Sequence, residues 1–118
     1  MLKPTVEKHF ELLDKIMKTK DQDTLQALCE IDASIAAQFK VEWYDQFPHD
    51  HKLPRYPAFQ KLAIIYEKAG NYPAAIAICE KAISLGFDND GTKGGMTARV
   101  ERLKKKLEKL KRPRSAAN

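Results

Sequence analysis

The chain has 118 residues, of which 43% are hydrophobic and 31% are charged, and it contains two cysteines. This balance is ordinary for one soluble domain, and a chain of this length can bury a core without disulfides or a metal. The few glycines and prolines cluster at turns, which argues against a β-sandwich or barrel and favours helices.

The formal charge of +5 is unevenly distributed along the chain. Residues 1–92 contain 11 Lys or Arg and 14 Asp or Glu, whereas residues 93–118 contain 10 and 2. The high isoelectric point therefore comes from the C-terminal segment alone. Such an asymmetry suits binding of an acidic protein or a nucleic acid, although a basic helix face also serves simply to keep a protein in solution.

No segment approaches the roughly 20 apolar residues that a membrane span requires. The N-terminal sequence MLKPTVEKHFELLDK is charged early and lacks the apolar run of a signal peptide. We therefore expect a cytoplasmic protein that does not associate with membranes. Cys29 and Cys79 lie among apolar residues at helical spacing, and in that compartment they are predicted to be buried and reduced.

The N-terminal part of the chain is predicted to be helical. A first helix spans residues 5–18, with Thr5 as its N-cap. A second helix runs from Asp21 or Asp23 to Glu30. The apolar face of the first contains Phe10, Leu13 and Ile16 or Met17, and that of the second contains Leu25, Leu28 and Cys29.

Asp32 then has the position of another N-cap. Residues 33–47 are predicted to form either a third helix or a continuation of the second. The residues near helical spacing there are Ile35, Phe39, Val41 or Glu42, and Tyr44. Three prolines in the segment FPHDHKLPRYP disfavour helix, so residues 48–56 are predicted to be a loop.

The stretch from residue 57 to residue 86 has the clearest pattern in the chain. Pro57 and Pro73 suit the first turn of a helix, where the missing N–H costs nothing. Gly70 and Gly86 follow the last periodic residues, where a left-handed cap residue is favoured. The apolar stripes are Phe59, Leu62, Ala63 and Tyr66 in the first helix, then Ala74, Ala75, Ile78, Cys79, Ala82 and Ile83 in the second.

This stretch resembles the tetratricopeptide repeat, a helix-turn-helix unit in which small residues let the two helices approach closely. The resemblance covers about 30 residues, and it departs from the repeat at Phe87 and Asp88, where a terminal Pro is usual. It implies a helical hairpin and protein–protein interaction, and it identifies no ligand. The matching residues are Leu62, Ala63, Tyr66, Gly70, Tyr72, Ala75, Cys79 and Ala82.

One hairpin of this kind cannot bury its faces alone. The flanking helices are therefore expected to cover it, and residues 5–30 either form a degenerate hairpin of the same kind or a different helical pair. The sequence predicts an all-α single domain, 1–118, a bundle or solenoid-like array of about five or six helices. Its parts are N-terminal helices in 1–47, the hairpin in 57–86, a basic amphipathic helix in 95–112 and a disordered tail in 113–118.

The last helix is predicted to begin near Gly94–Gly95, with Thr97 or Thr92 as its cap. Its apolar residues are spaced three and four apart, which suits packing on the hairpin, on a partner helix or on a second copy. These residues are Met96, Val100, Leu103, Leu107 and Leu110.

Several candidate ligand sites have weak sequence support. Asp88, Asp90 and Gly91 suggest calcium, but the loop lacks the first Asp and the terminal Glu of an EF-hand, so capping aspartates are the favoured interpretation. The same glycine-rich loop with Lys93 could present N–H groups to an anion, although a hinge before the last helix is the commoner use. His49 and His51 beside Asp50 lack a second ligand pair, so no metal is predicted.

We find no arrangement of nucleophile, acid and base that predicts catalysis, and no cofactor is expected. The sequence therefore predicts a non-enzymatic interaction module. By the resemblance, the protein-binding positions on the first hairpin helix are Gln60, Ile64, Glu67 and Lys68. Ile64 either faces a partner there or is covered by the N-terminal helices.

The alternative is that the C-terminal helix binds a nucleic acid or an acidic partner through its cations. The absence of aromatic residues from this segment makes stacking with single-stranded bases a weak option. Self-association through the Met96–Leu110 seam is a third hypothesis. The basic residues concerned are Lys93, Arg99, Arg102, Lys105, Lys106, Lys109 and Arg112.

Overall fold

The computed structural model of the protein describes residues 1–50 and 52–111. Within these residues it contains helices and no strand, which confirms the predicted all-α class. Arg112 and the tail 113–118, for which we predicted the end of a helix and disorder, lie outside the described residues. The six helices are α1 (Pro4–Lys18), α2 (Gln22–Ser34), α3 (Ala36–Gln46), α4 (Pro57–Lys68), α5 (Tyr72–Leu85) and α6 (Gly95–Lys111).

The helices pack in a layered array with α4 and α5 at its centre. α5 packs against α4 on one side and α6 on the other, while α2 packs against α4. α1 packs mainly against α2 and α3. The first and last helices therefore lie at opposite ends of the array. One continuous core runs through it, formed by residues such as Val6, Phe39, Phe59, Leu62, Cys79, Met96 and Leu103.

The prolines and glycines that were predicted to begin and end the two hairpin helices are confirmed in these positions. Pro57 and Pro73 lie in the first turns of α4 and α5, where no backbone hydrogen bond is lost. The Asn71 side chain caps α5 by accepting a hydrogen bond from the Ala74 N–H at 3.2 Å. Gly86 ends α5 with φ of +91°, a left-handed conformation that other residues adopt at a cost.

The predicted caps of the first and the last helix are wrong. α1 begins at Pro4 rather than Thr5, and the Thr5 N–H donates to the Glu42 carboxylate of α3 at 2.7 Å. α6 is capped neither by Thr92 nor by Thr97. Instead Asp88 reaches across the loop and accepts hydrogen bonds from the Thr97 N–H and hydroxyl at 2.9 and 2.8 Å. In both cases the acceptor comes from a segment that local capping rules do not consider.

The buried face of α1 also differs from the prediction. Phe10 and Met17 were predicted to point inward, but they are exposed, and Leu13 is only half-buried. The face of α1 that packs on the core is rotated around the helix axis from the predicted face, and it includes a histidine. It consists of Val6, His9, Leu12 and Ile16. In α3, similarly, Phe39 is buried as predicted, whereas Val41 and Tyr44 are exposed.

Asp32 is the largest departure from the sequence prediction. It does not begin a helix but lies inside α2, which continues to Ser34, past the predicted end at Glu30. Ile35 alone separates α2 from α3, so the two are distinct helices with a single-residue break. The Asp32 side chain is fully buried, and a buried carboxylate requires partners.

Phe87, which follows the last residue of α5 and its cap Gly86, contributes an aromatic side chain to the core. Its ring is buried and lies 4.8 Å from that of Tyr56 and 5.9 Å from that of Phe59, measured between ring centroids. A proline at this position would remove that aromatic contact. Phe87 thus ties the end of α5 to the start of α4 and, through Phe39, to α3.

Candidate functional site

The four predicted protein-binding residues share one side of α4, because they are spaced by three and four residues. We refer to Gln60, Ile64, Glu67 and Lys68 as the open face of α4. Gln60, Ile64 and Glu67 are half-buried, and Lys68 is exposed. The opposite side of the helix, which includes Phe59 and Leu62, is fully buried in the core.

The N-terminal helices form one edge of the open face. Ile64 and Lys68 line a shallow cleft together with Gln22 and Leu25 of α2. Lys61 lines the same cleft and adds a second cation. Ile64 is therefore partly covered by α2 but still reaches the cleft, a situation between the two alternatives that the sequence left open.

The other edge is formed by α6 and the loop before it. Lys106 of α6 forms an ion pair with Glu67. At the start of α4, Gln60 lines a small recess with Arg55 and Asn89. The open face of α4 is thus flanked by α2 on one side and by α6 with its preceding loop on the other, and Glu67 is already engaged within the protein.

The predicted basic residues do not form one group. The Arg99 Nε and Nη2 atoms each lie 3.1 Å from Oδ2 of Asp90, and this pair is buried. This corrects the prediction that Arg99 contributes to an exposed basic surface. Lys106 is held by Glu67, and Arg112 lies outside the described residues. Lys106 is exposed despite this pair, and the other exposed members of the set are Lys93, Arg102, Lys105 and Lys109.

The loop between α5 and α6 uses its aspartates to hold α6 in place. Asp90 accepts hydrogen bonds from both the N–H and the hydroxyl of Thr92 as well as from Arg99. Burial raises the pKa of the Asp90 carboxyl, but these hydrogen bonds outweigh it, so that the pKa lies below its ordinary value. The capping interpretation of this loop is therefore supported over the calcium one.

The start of α6 gives little support to the anion interpretation of the same loop. The first N–H groups of α6 are already hydrogen-bonded within the chain: that of Met96 donates to the Asp88 carbonyl at 2.7 Å, and that of Thr97 donates to the Asp88 carboxylate. The Ala98 N–H donates to Gly94 at 3.2 Å. The N–H groups in the first turn of α6 therefore already have acceptors within the chain and are not free to bind an anion.

Sequence reasoning missed the most unusual cluster in the molecule. His9 Nδ1 lies 2.8 and 3.0 Å from the two carboxylate oxygens of Asp32. Because a carboxylate only accepts hydrogen bonds, Nδ1 is the donor. The Tyr56 hydroxyl donates to the Asp32 carboxylate at 2.9 Å and lies 2.6 Å from the Asp32 carbonyl. We call these three residues the His–Asp–Tyr cluster. The sequence signals were a His at a core position of α1 and an Asp between apolar residues of α2.

The His–Asp–Tyr cluster contains residue types that can catalyse reactions, but it is buried away from solvent. His9, Asp32 and Tyr56 are 1%, 0% and 3% exposed, and the His9 ring stacks on Tyr56 with ring centroids 4.3 Å apart. Burial also raises the pKa of Tyr56 far above its ordinary value. Since no substrate can reach these atoms without unfolding, the arrangement is suited to holding helices together.

In the part of the chain that the structure describes, the other reactive side chains have no arrangement typical of a reaction centre. Cys29 and Cys79 are buried and free, as predicted, and burial raises the pKa of each thiol to about 11, so both are protonated at neutral pH. His49 is exposed, and His51 lies outside the described residues. Among residues 1–50 and 52–111, no group of three or more His, Cys, Asp or Glu residues is placed to hold a metal ion.

None of the described helices combines the length and the apolar character needed to cross a membrane. Comparisons with protein-family models, with curated proteins and with solved structures found no match to this chain. Evidence about function must therefore come from the surfaces described above.

Proposed function

We propose that this protein is a non-enzymatic interaction module, in which the α4–α5 pair acts as a tetratricopeptide-like hairpin. The open face of α4 binds the partner, and α2 and α6 form the walls. The supporting observation is Ile64, an apolar side chain that lines an open cleft instead of the core. Apolar residues in such clefts are typical contact points of protein interfaces.

The charges around this face favour an acidic partner segment. Lys61 and Lys68 line the cleft with Ile64. Arg102 lies four residues before Lys106 and Lys109 three residues after it, so the three cations share one side of α6. The acidic residue of the open face, Glu67, is engaged by Lys106. A chain segment with apolar and acidic side chains would complement this surface, and electrostatic attraction would speed its association.

Nucleic-acid binding through α6 is the alternative function. Its support is the set of exposed cations on that helix, but the buried Asp90–Arg99 pair and the Lys106–Glu67 pair reduce the set. Of the remaining cations of the predicted set, Arg102, Lys105 and Lys109 share one side of α6, so the basic stripe is short. Because the apolar Ile64 in the neighbouring cleft would have no role in binding a phosphate backbone, we favour a protein partner.

The proposal is tested by selecting peptides on the wild-type protein from a random displayed library and measuring their binding by calorimetry. We expect acidic sequences with an apolar anchor, and we expect Ile64→Glu to weaken their binding by about tenfold or more, the effect of losing one central apolar contact. Val41→Glu is the matched control, because Val41 is an exposed apolar residue on α3, and it should leave binding unchanged.

Two outcomes would oppose the proposal. Selected peptides that bind the Ile64→Glu variant as tightly as the wild type would show that the open face of α4 is not the site. If no peptide is selected but a DNA or RNA duplex shifts in a gel at about 50 mM salt, and the shift is lost when the α6 cations are replaced, the nucleic-acid function takes its place.

A further inference from the structure

The apolar seam of α6 continues beyond the hairpin that covers it. Leu103 is buried and Leu107 is half-buried, but Leu110, one further turn along the same stripe, has 67% of its surface exposed. Lysines lie on both sides of this stripe by helical spacing, whereas the acidic residues of α6 lie on its far side. We call Leu107 and Leu110, with Lys106, Lys109 and Lys111 beside them, the α6 end.

A second uncovered apolar stripe lies on α1. Phe10 and Met17 are 38% and 65% exposed, and Leu13 between them is half-buried. They share one side of the helix because they are three and four residues apart. We call these three residues the α1 stripe. The charged residues beside it are the exposed Glu7, Glu11 and Asp14 and also Lys18, which pairs with Asp14 at 3.0 Å.

The two surfaces are complementary in character and in charge. Each presents a short row of large apolar side chains, with lysines beside the α6 end and mainly carboxylates beside the α1 stripe. Within one molecule they cannot meet, because α6 packs on α5 while α1 packs on α2 and α3, at the opposite end of the array. An α6 end can therefore reach an α1 stripe only in another molecule.

We propose that the α6 end of one copy of the protein docks against the α1 stripe of a second copy. The contact is head-to-tail, so it joins two different surfaces and leaves one of each free on the pair. Longer chains of copies follow at higher concentration. The apolar area is small, so the association is weak and depends on salt, which screens the lysine–carboxylate attraction.

Complementation between two blocked variants tests this geometry directly. Phe10→Asp with Met17→Asp blocks the α1 stripe, and Leu110→Asp blocks the α6 end. By analytical ultracentrifugation of the full chain at about 500 μM and low salt, the wild type should exceed the monomer mass of 13.4 kDa. Each blocked variant alone should remain a monomer, and an equal mixture of the two should form a pair and nothing larger.

The controls separate this docking from other causes. Val41→Asp adds the same charge at an exposed apolar site on α3 and should associate like the wild type. Met17, Leu110 and Val41 are largely exposed, so their substitution should leave the thermal midpoint unchanged. Phe10 also contacts the His9 and Phe39 rings, so the doubly substituted α1 variant should have a lower thermal midpoint but the circular-dichroism spectrum of the wild type. Raising the salt to about 500 mM should weaken the wild-type association.

Three results would each overturn the proposal. The first is a wild type that stays a monomer, in which case the α6 end serves a different partner. The second is a variant blocked at the α1 stripe that still dimerises, which would indicate that two α6 helices pair with each other. The third is a mixture of the two blocked variants that shows no pair.

Discussion

Asp32 and Asp90 are both buried aspartates, but the two regions that contain them stabilise them in different ways. Asp32 lies in the N-terminal half, within an aromatic cage, and its partner His9 is 23 residues away in sequence. Asp90 lies in the loop before α6, and its partners are Thr92 and Arg99, two and nine residues away. The first carboxylate joins separate helices, and the second positions the helix that follows it.

This difference indicates what each aspartate contributes. The His–Asp–Tyr cluster connects α1, α2 and the segment that leads into α4, so the orientation of the N-terminal helices depends on it. The Asp90–Arg99 pair attaches the second turn of α6 to the loop before it and so influences how the α6 end projects. The loss of Asp32 should destabilise the whole fold, whereas the loss of the Asp90 interactions should mainly loosen the C-terminal helix.

The largest expected effect is that of Asp32→Ala. The substitution leaves the buried His9 Nδ1–H without its acceptor, removes one of the two acceptors of the Tyr56 hydroxyl and opens a small cavity. A lost hydrogen bond to a charged group costs about 1.5–3 kcal/mol and the cavity adds to it, so the loss is about 3–5 kcal/mol, a large share of the stability of a domain of this size. Urea denaturation followed by far-UV circular dichroism measures the loss.

Asp45→Ala is the matched control for this substitution. Like Asp32, Asp45 contacts a side chain from a distant segment, because its Oδ2 lies 2.7 Å from the Nζ atom of Lys3. The Asp45 side chain, however, is 67% exposed. Exposed pairs contribute less than about 1 kcal/mol, so this variant should be nearly as stable as the wild type. A loss for Asp32→Ala as small as that of Asp45→Ala would show that the buried cluster does not hold the N-terminal helices.

A smaller effect is expected for Arg99→Met. Asp90 keeps its hydrogen bonds from Thr92, so the substitution should cost about 1.5–3 kcal/mol, the value of hydrogen bonds to a charged group. In a double-mutant cycle with Asp90→Asn, the two substitutions should be non-additive by about 0.5–3 kcal/mol. If Arg99→Met lowered the free energy of unfolding more than Asp32→Ala does, the Asp90 region and not the His–Asp–Tyr cluster would contribute more to stability.

The smallest effect is a dependence of stability on pH that comes from Asp90. Its pKa is lowered in the folded protein, so the contribution to stability is present above the unfolded pKa and is lost as the pH falls through the folded value. Between about pH 6 and about pH 2.5, the thermal midpoint of the wild type should therefore fall more than that of Asp90→Asn. Parallel curves for the two proteins would contradict the assignment.

The sequence by itself determined the helices of the central hairpin. Pro57 and Pro73 at helix starts and Gly70 and Gly86 at helix ends were predictable because each acts on its own backbone and that of its nearest neighbours. These features depend on interactions within about four residues. The residues of the open face of α4 came instead from the resemblance to the repeat, which left open whether the N-terminal helices cover Ile64.

The tertiary structure decided which faces are buried and which polar groups meet. α1 has two apolar stripes, and Val6, Leu12 and Ile16 are buried rather than Phe10 and Met17 because His9 has a partner in Asp32 on another helix. Asp88 caps α6 from the other side of a loop, which the local sequence around α6 does not reveal. Arg99 is buried in a pair with Asp90 and therefore does not belong to the exposed basic surface. Each outcome depends on a contact between segments that sequence periodicity treats separately, and only packing brings them together.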